Sequence, residues 1–379
     1  MIFLHTKKIP KKYKKLQKDL KERLHTTIPP LPLSLSAKEE KLVEDIQAET
    51  KRHNRNNISR TTAYLDYYRR NPEIHWSLLA HMVSRNTGWN MTDLRGSFLP
   101  RIMSSQECDD FYALLERGNW IIFEDAYPQL LLYEKGKQHR KNYYHLLPAF
   151  HVSVFMQVLW PFFLDGNDSE LITLALVVNE QNHLEQTVMK NGSFKKTVFD
   201  KIEFMLQDLL SMNQIIFPLV IEGERIKLRG KTIHQFEELH QRIQIGRDLY
   251  ALLFHEKTLN RTIHWACQTP HTGSRMDFWS HLFNLVNEEV PGRKRMHSRF
   301  KNGSLKEGEA RIYSPIWQNV WKDTPHSSPA QRDWFQDTDV LSYLEKPKIN
   351  VEGDIGKEYC RTLEKLEYAV MAKSVSTLF

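Results

Sequence analysis

Glycine and cysteine are both scarce in this chain, at 15 and 3 of 379 residues. The shortage of glycine excludes phosphate loops that depend on bare backbone. No Gly-x-Gly-x-x-Gly run stands between a strand and a helix, as a dinucleotide fold requires. Gly230-Lys231-Thr232 has the form of a P-loop end, but Arg225 holds the place of its first glycine and Ile226-Lys227-Leu228-Arg229 fill the interval. Side chains of that bulk keep backbone amides from wrapping a phosphate, so the stretch reads as a hairpin strand leading into a helix. Cys108, Cys267 and Cys360 lie far apart without a Cys-x-x-Cys pair. That spacing excludes a disulfide framework and a zinc–thiolate site and fits a reducing cytoplasm. Cys108 and Cys267 fall on apolar helical patterns, where a thiol packs inertly. Gly-x-Ser-x-Gly and His-Glu-x-x-His are absent too, so His81 or His271 as a general base has no nucleophile to serve.

A membrane span is also missing. Residues 146–164 approach span length, but Pro148, His151, Ser153, Gln157 and Pro161 interrupt them, and they read as a buried helix. The N-terminus is apolar over residues 1–4 and basic afterwards, the reverse of a secretory signal. Lysine plus arginine exceed aspartate plus glutamate by 53 to 46, yet residues 7–23 hold nine basic and two acidic side chains, leaving 44 against 44 elsewhere. The body is therefore neutral, and any role on nucleic acid must sit in local patches. Residues 290–306, with six basic residues and no acid, form a second patch. Both patches suit an anionic membrane surface or nucleic acid, or are solvated charge. Only Tyr13 and Phe300 interleave with these cations, so base stacking is not indicated.

At 41% hydrophobic and 26% charged residues, the chain has material for a sizeable core. Residues 1–35 are expected to be a basic segment and a proline-rich linker, Ile28-Pro29-Pro30-Leu31-Pro32-Leu33. A helical core over 36–290 follows, then a loop-rich wrap over 291–347 carrying Trp317, Trp321 and Trp334, then a C-terminal helix within 348–379 packing on the core. Ser36 and Glu39 form a capping box. The spacing predicts helices over 72–86 with Gly88 as stop, 105–117 with Gly118 as stop, 120–135, 148–160, 168–188, 194–211, 233–256, 258–267, 275–288 and 355–372. Residues 215–220 and 224–228, around Glu222-Gly223, suffice for at most one short β-hairpin. The fold class is mainly α: a single large multi-helix domain with an irregular C-terminal wrap.

Two polar runs stand out against this background. Residues 53–61, His-Asn-Arg-Asn-Asn-Ile-Ser-Arg-Thr, hold two arginines and no acid just before a helix, a composition suited to an anion or polar ligand. The plainer reading is a solvated loop whose Ser59 or Thr61 caps that helix. The helix that follows puts His81 and Arg85 on one face, ahead of a turn rich in hydrogen-bonding groups. The second run, residues 269–279, stops one helix at Pro270 and starts another at Ser274, with Gly273 at the junction and His271 and Arg275 as charged groups. A phosphate or carboxylate fits there; so does a plain connection between helices.

At these runs the chain resembles a bacterial family of unknown function, the YppC-like proteins classed as domain of unknown function 2515. The resemblance is carried by residues 54–68, 72–94 and 269–279 and, more loosely, 314–335. It implies a bacterial, intracellular protein and supplies no reaction, so it assigns no catalytic residue. The leading expectation is that both runs meet in one pocket for an anionic small ligand, lined by Asn54, Arg55, Arg60, Arg85, Asn86, Asn90, His271, Thr272, Ser274 and Arg275. Two other classes stay open. One is a non-enzymatic protein that binds membrane or nucleic acid through its basic segments. The other is a di-iron bundle protein, because Glu180/His183 and Glu237/His240 each place Glu-x-x-His on a helix, with Glu203 as a third ligand.

Overall fold

The computed structural model describes residues 10–25, 34–190, 214–221, 223, 225–232, 238–289, 297–301, 304–328, 333–349 and 354–376. Its helices are α1 (Lys14–His25), α2 (Ala37–His53), α3 (Asn57–Arg70), α4 (His75–Asp93), α5 (Leu99–Ile102), α6 (Ser105–His139), α7 (Val154–Gly166), α8 (Ser169–Leu184), α9 (Leu239–Leu253), α10 (Leu259–Gln268), α11 (Trp317–Val320) and α12 (Gly356–Ser376). Strands β1 (Gln214–Leu219) and β2 (Lys227–Thr232) pair antiparallel with Ile216 opposite Gly230. Two-residue pairings join Phe283–Asn284 to Ile312–Tyr313 and Phe300–Lys301 to Ser304–Leu305. The fold is mainly α with small β elements. The Gly230-Lys231-Thr232 run is strand, opposite residues 214–216.

Helix α8 is the axis of the core. Leu171 through Val178 are buried all round, as expected of a helix that neighbours enclose on every side; α4, α6, α7 and α9 pack against it. Local signals set the helix starts. Ser104 Oγ accepts the Glu107 amide (3.2 Å) while the Glu107 carboxylate accepts the Ser104 amide (2.8 Å), and Ser36 and Glu39 close the same box on α2, each satisfying amides the helix leaves unpaired.

Several helix ends differ from the sequence expectation. The stretches expected at 105–117 and 120–135 are one 35-residue helix, α6, that runs through Gly118 and Pro128. Its buried side, from Phe111 to Tyr133, outweighs the local cost of those residues. Helix α7 begins at Val154, capped by Ser153, instead of at 148. The helix expected over 275–288 is a single 3-10 turn, Arg275–Asp277, because the backbone from 283 onward pairs as strand with Ile312–Tyr313. The helix expected over 194–211 lies outside the described residues.

The basic N-terminal run is not a free tail over its described part. Tyr13, Leu16 and Leu20 are fully buried, Tyr13 donates its hydroxyl to the Leu344 carbonyl (2.8 Å), and α1 packs on α7. Lys11, Lys12, Lys14, Lys15, Lys18, Lys21 and Arg23 face solvent. In the second basic run Arg299 is buried, paired with Glu289 and Glu367, so it is not solvated charge; residues 291–296 lie outside the described set. The tryptophans of the C-terminal stretch are packed: Trp317 and Trp334 are buried, and Trp321 stacks on Tyr112 with centroids 3.7 Å apart.

Helix α4 continues past Gly88 to Asp93. The glycine marks a close crossing instead of a stop. A Cβ at 88 would overlap Asn57 Oδ1 and His271 Nε2, the two atoms of a 2.8 Å hydrogen bond. Gly88→Ala is therefore expected to destabilise the fold by about 1–3 kcal/mol through overpacking, against the ~1 kcal/mol that alanine gains in an ordinary helix. Urea unfolding followed by circular dichroism measures this. A midpoint equal to or above the wild type would show that the crossing relaxes freely.

Candidate functional site

A buried polar seam runs between α3, α4, α10 and the 269–277 loop. It begins at the α3 entrance, where Asn56 Oδ1 accepts the Ser59 amide (2.9 Å) and Ser59 Oγ donates to the His53 carbonyl (2.7 Å). That cap turns Asn57, Arg60 and Thr61 inward and leaves Arg55 exposed. Asn57 Nδ2 donates to the Ser84 carbonyl (2.9 Å) and Oγ (3.1 Å). Ser84 Oγ meets Thr61 Oγ1 at 2.6 Å, and His81 Nδ1 donates to the Thr61 carbonyl (2.8 Å).

The loop closes the seam from outside. Asp277 accepts the Thr272 amide (3.1 Å), the Thr272 hydroxyl (2.6 Å) and the Trp89 indole N–H (3.3 Å), and it lies 3.4 Å from His271 Nδ1. Burial works against its charge, yet His271 and Thr272 hold Asp277 below the usual carboxylate range. Gly273 adopts φ 86°, a conformation natural only to glycine, and its carbonyl accepts the Thr92 hydroxyl. Ser274 Oγ donates to the Ser314 carbonyl (2.6 Å), tying the loop to the C-terminal stretch.

The three arginines of the expected pocket have three different neighbourhoods. Arg60 pairs with Glu116 of α6, both 1% exposed, and bonds Asn54 Oδ1 at 3.3 Å. Asn54 in turn donates to the Trp120 carbonyl (3.2 Å) and Glu124 (2.9 Å). Arg275 donates to Asp93 (2.5 Å), the Tyr359 hydroxyl (2.6 Å) and Asn90 Oδ1 (2.8 Å). Asn86 clamps β1, donating to the Ile216 carbonyl and accepting its amide, both at 2.9 Å. These side chains bind the protein to itself.

Arg85 is different. It is 1% exposed, lies 4.4 Å above the Trp265 ring and donates from Nη2 to the Thr269 carbonyl. Its Nε and Nη1 have no hydrogen-bond partner among the described residues, nor have His81 Nε2 and Trp265 Nε1. Burial lowers the Arg85 pKa to about 10 and drives His81 well below its ordinary value, Arg85 adding to the effect. Thr258, the N-cap residue of α10, and Thr262 are also buried with unpartnered hydroxyls, and Thr262 stands with Trp265 on one face of α10 by its spacing. The sequence places His81 and Arg85 on one face, but it does not single out Thr258, Thr262 and Trp265. Their i, i+4, i+7 spacing was the available signal.

The described residues contain no group of three or more His, Cys, Asp and Glu fit to hold a metal; Glu203 and Glu237 lie outside them. Glu180 instead accepts the Trp76 indole N–H (3.1 Å) and the Gln181 amide (3.2 Å), and His240 Nδ1 meets the Tyr343 hydroxyl at 2.7 Å. Cys108 is buried, as expected, whereas Cys267 is exposed, near the end of α10 where the apolar pattern gives out. No helix among the described residues is long and apolar enough to cross a membrane.

Two consequences are measurable. Arg275→Ala strands a carboxylate, so it should cost about 3–5 kcal/mol in the ligand-free protein. A neutral result by denaturant titration would mean that Asp93 finds water or another donor. Burial pushes Glu180 up to about 7, above its unfolded value, so its contribution is fully present when protonated and fades as pH rises through that value. Glu180→Gln should therefore gain about 1–3 kcal/mol on the wild type between pH 5 and pH 8. A constant difference across that window in paired thermal melts would place the titration elsewhere.

The chain is 44% identical over 237 residues to the uncharacterized protein YppC of Bacillus subtilis (strain 168), covering 62% of this chain and 73% of that protein. No solved structure matches it. The family described as protein of unknown function (DUF2515) matches residues 52–359, a span that includes α3, α4 and the 269–277 loop, and the chain belongs to that family.

Proposed function

We propose that this protein binds a small oxyanion that also carries a hydroxyl, in the seam beside Arg85. The observation that carries this reading is the Arg85 guanidinium, buried with two nitrogens unpartnered and no carboxylate within ion-pair distance among the described residues. Asp277 favours the Arg85 charge only from beyond ion-pair distance, and a buried cation without a paired counter-charge is costly; an anion in contact supplies one. Nη2 holds Thr269 with one hydrogen, and its second hydrogen forms with Nε, or with Nη1, the fork that suits two oxygens of a phosphate or carboxylate; the Trp265 indole offers a further donor. His81 gives its Nδ1 proton to a carbonyl, so in its neutral form Nε2 is an acceptor. The partner for Nε2 is then an O–H on the ligand. Monohydrogen phosphate and hydroxy acids have one, while sulfate and acetate do not. Thr269, whose carbonyl Arg85 holds, is half-buried and Pro270 beyond it is exposed.

Differential thermal melts against inorganic phosphate, sulfate, glycolate and acetate test the reading. Phosphate and glycolate should raise the melting temperature more than their hydroxyl-free counterparts, the stabilisation reaching about 2.7 kcal/mol at a hundredfold excess over Kd. Arg85→Met keeps an apolar stem over Trp265 and removes the buried charge, so without ligand it should be as stable as the wild type or more so, and phosphate should no longer protect it. Equal protection of wild type and variant would overturn the proposal, and so would no protection of either.

A further inference from the structure

A cavity of about 300 Å³ opens where α6 ends, sharing no lining residue with the Arg85 seam. That volume is at the lower end of the range for small-molecule sites, about 300–1,000 Å³. Leu132, Tyr144 and Leu164 give it an apolar wall, and Lys137, Arg140 and Lys141 are in its lining, which contains no acid. The nearby carboxylates are already engaged. Glu73 accepts Lys137 Nζ (2.5 Å) and the Tyr133 hydroxyl (2.8 Å), and Glu39 lies 3.7 Å from Lys141 and 2.9 Å from His145. Arg140 is exposed and makes no ion pair among the described residues.

Arg140 is also the residue that ends α6, at φ 52° and ψ 38°. That left-handed position usually belongs to glycine or asparagine, and any other residue there is mildly strained. A chain that needed only to stop the helix would be better served by glycine. This one keeps a long cation at the mouth of an apolar cavity. Lysine and arginine at a helix C-terminus also complement its dipole, but that role explains neither the cavity nor Leu164, which is 45% exposed beside it.

The geometry points to a second binding site here, for a small carboxylate with an apolar tail: the tail against Leu132, Tyr144 and Leu164, the carboxylate on Arg140 with Lys141 alongside. Equilibrium dialysis of the full chain with labelled octanoate tests it, with octanol as the same tail without charge and acetate as the charge without the tail. Octanoate should bind at least tenfold more tightly than either. Arg140→Gly should keep or raise the ligand-free melting temperature, since glycine relieves the backbone, and weaken octanoate binding at least tenfold. Leu164→Asp, a change at an exposed position, should weaken it as well. Arg85→Met, which lies outside this cavity, should bind octanoate as the wild type does. Octanol binding as tightly as octanoate, undiminished binding by Arg140→Gly, or no octanoate binding by the wild type would each overturn the assignment.

Discussion

The hydrogen bond between His271 and Asn57 holds the outer loop to the helical body, and it exists because position 88 has no side chain. Asn57 is on α3, Gly88 on α4, and His271 comes from far along the chain. The bond passes over α4 at the one point where the helix surface is bare. From it the rest of the seam follows. Asn57 is oriented by Ser84, Ser84 by Thr61, and His271 faces Asp277, which in turn organises Thr272 and Trp89. The Thr272 carbonyl then accepts the Trp317 amide at 2.8 Å, so the same crossing anchors the start of the irregular C-terminal stretch. Buried polar chains of this kind are stabilising only when nearly every member is satisfied.

The buried arginines divide on the same principle. Arg60, Arg275 and Arg299 each sit against at least one carboxylate, and their Coulombic attraction offsets desolvation. Such pairs add little net stability compared with apolar packing, but losing one partner is expensive. They act as registration pins: Arg60 fixes α3 on α6, Arg275 fixes the loop on α4 and α12, and Arg299 fixes a later loop on α12. Among the described residues Arg85 bonds the Thr269 carbonyl and covers the Trp265 ring, with Asp277 favouring its charge from beyond ion-pair distance. A cation–π contact and one carbonyl are modest compensation for a buried charge, and the depressed pKa reflects that imbalance.

The fold class was readable from the sequence because most helices carry their own signals, such as the Ser36 and Ser104 boxes and the all-apolar run of α8. Local propensity reads Gly88 and Gly118 alike as stops; at Gly88 another chain segment comes close, while Gly118 lies inside α6, whose buried side carries the helix through it. Residues 275–288 failed for a related reason, since the strand pairing that replaces the expected helix comes from residues 312–313. The two polar runs that the sequence singles out meet through Asn57 and His271, but their side-chain pairings are not legible in it. Arg60 and Arg275 are indistinguishable from Arg85 as letters; Glu116, Asp93 and Tyr359, which set them apart, lie on other elements.

On the proposed reading, Arg85 would also connect ligand binding with the loop. Its Nη2 bonds the Thr269 carbonyl, two residues before His271, so its guanidinium spans the interior of α4 and the backbone that leads into the tether. An anion on one edge of the guanidinium, Nε or Nη1 with the second Nη2 hydrogen, would fix its plane and thereby strengthen the hold on Thr269. Because His271, Asp277 and Thr272 hang from the same backbone, the stiffening would extend through residues 269–277 to Trp317. Binding and local order would then be reciprocal, since whatever loosens the loop must cost affinity by the same free energy.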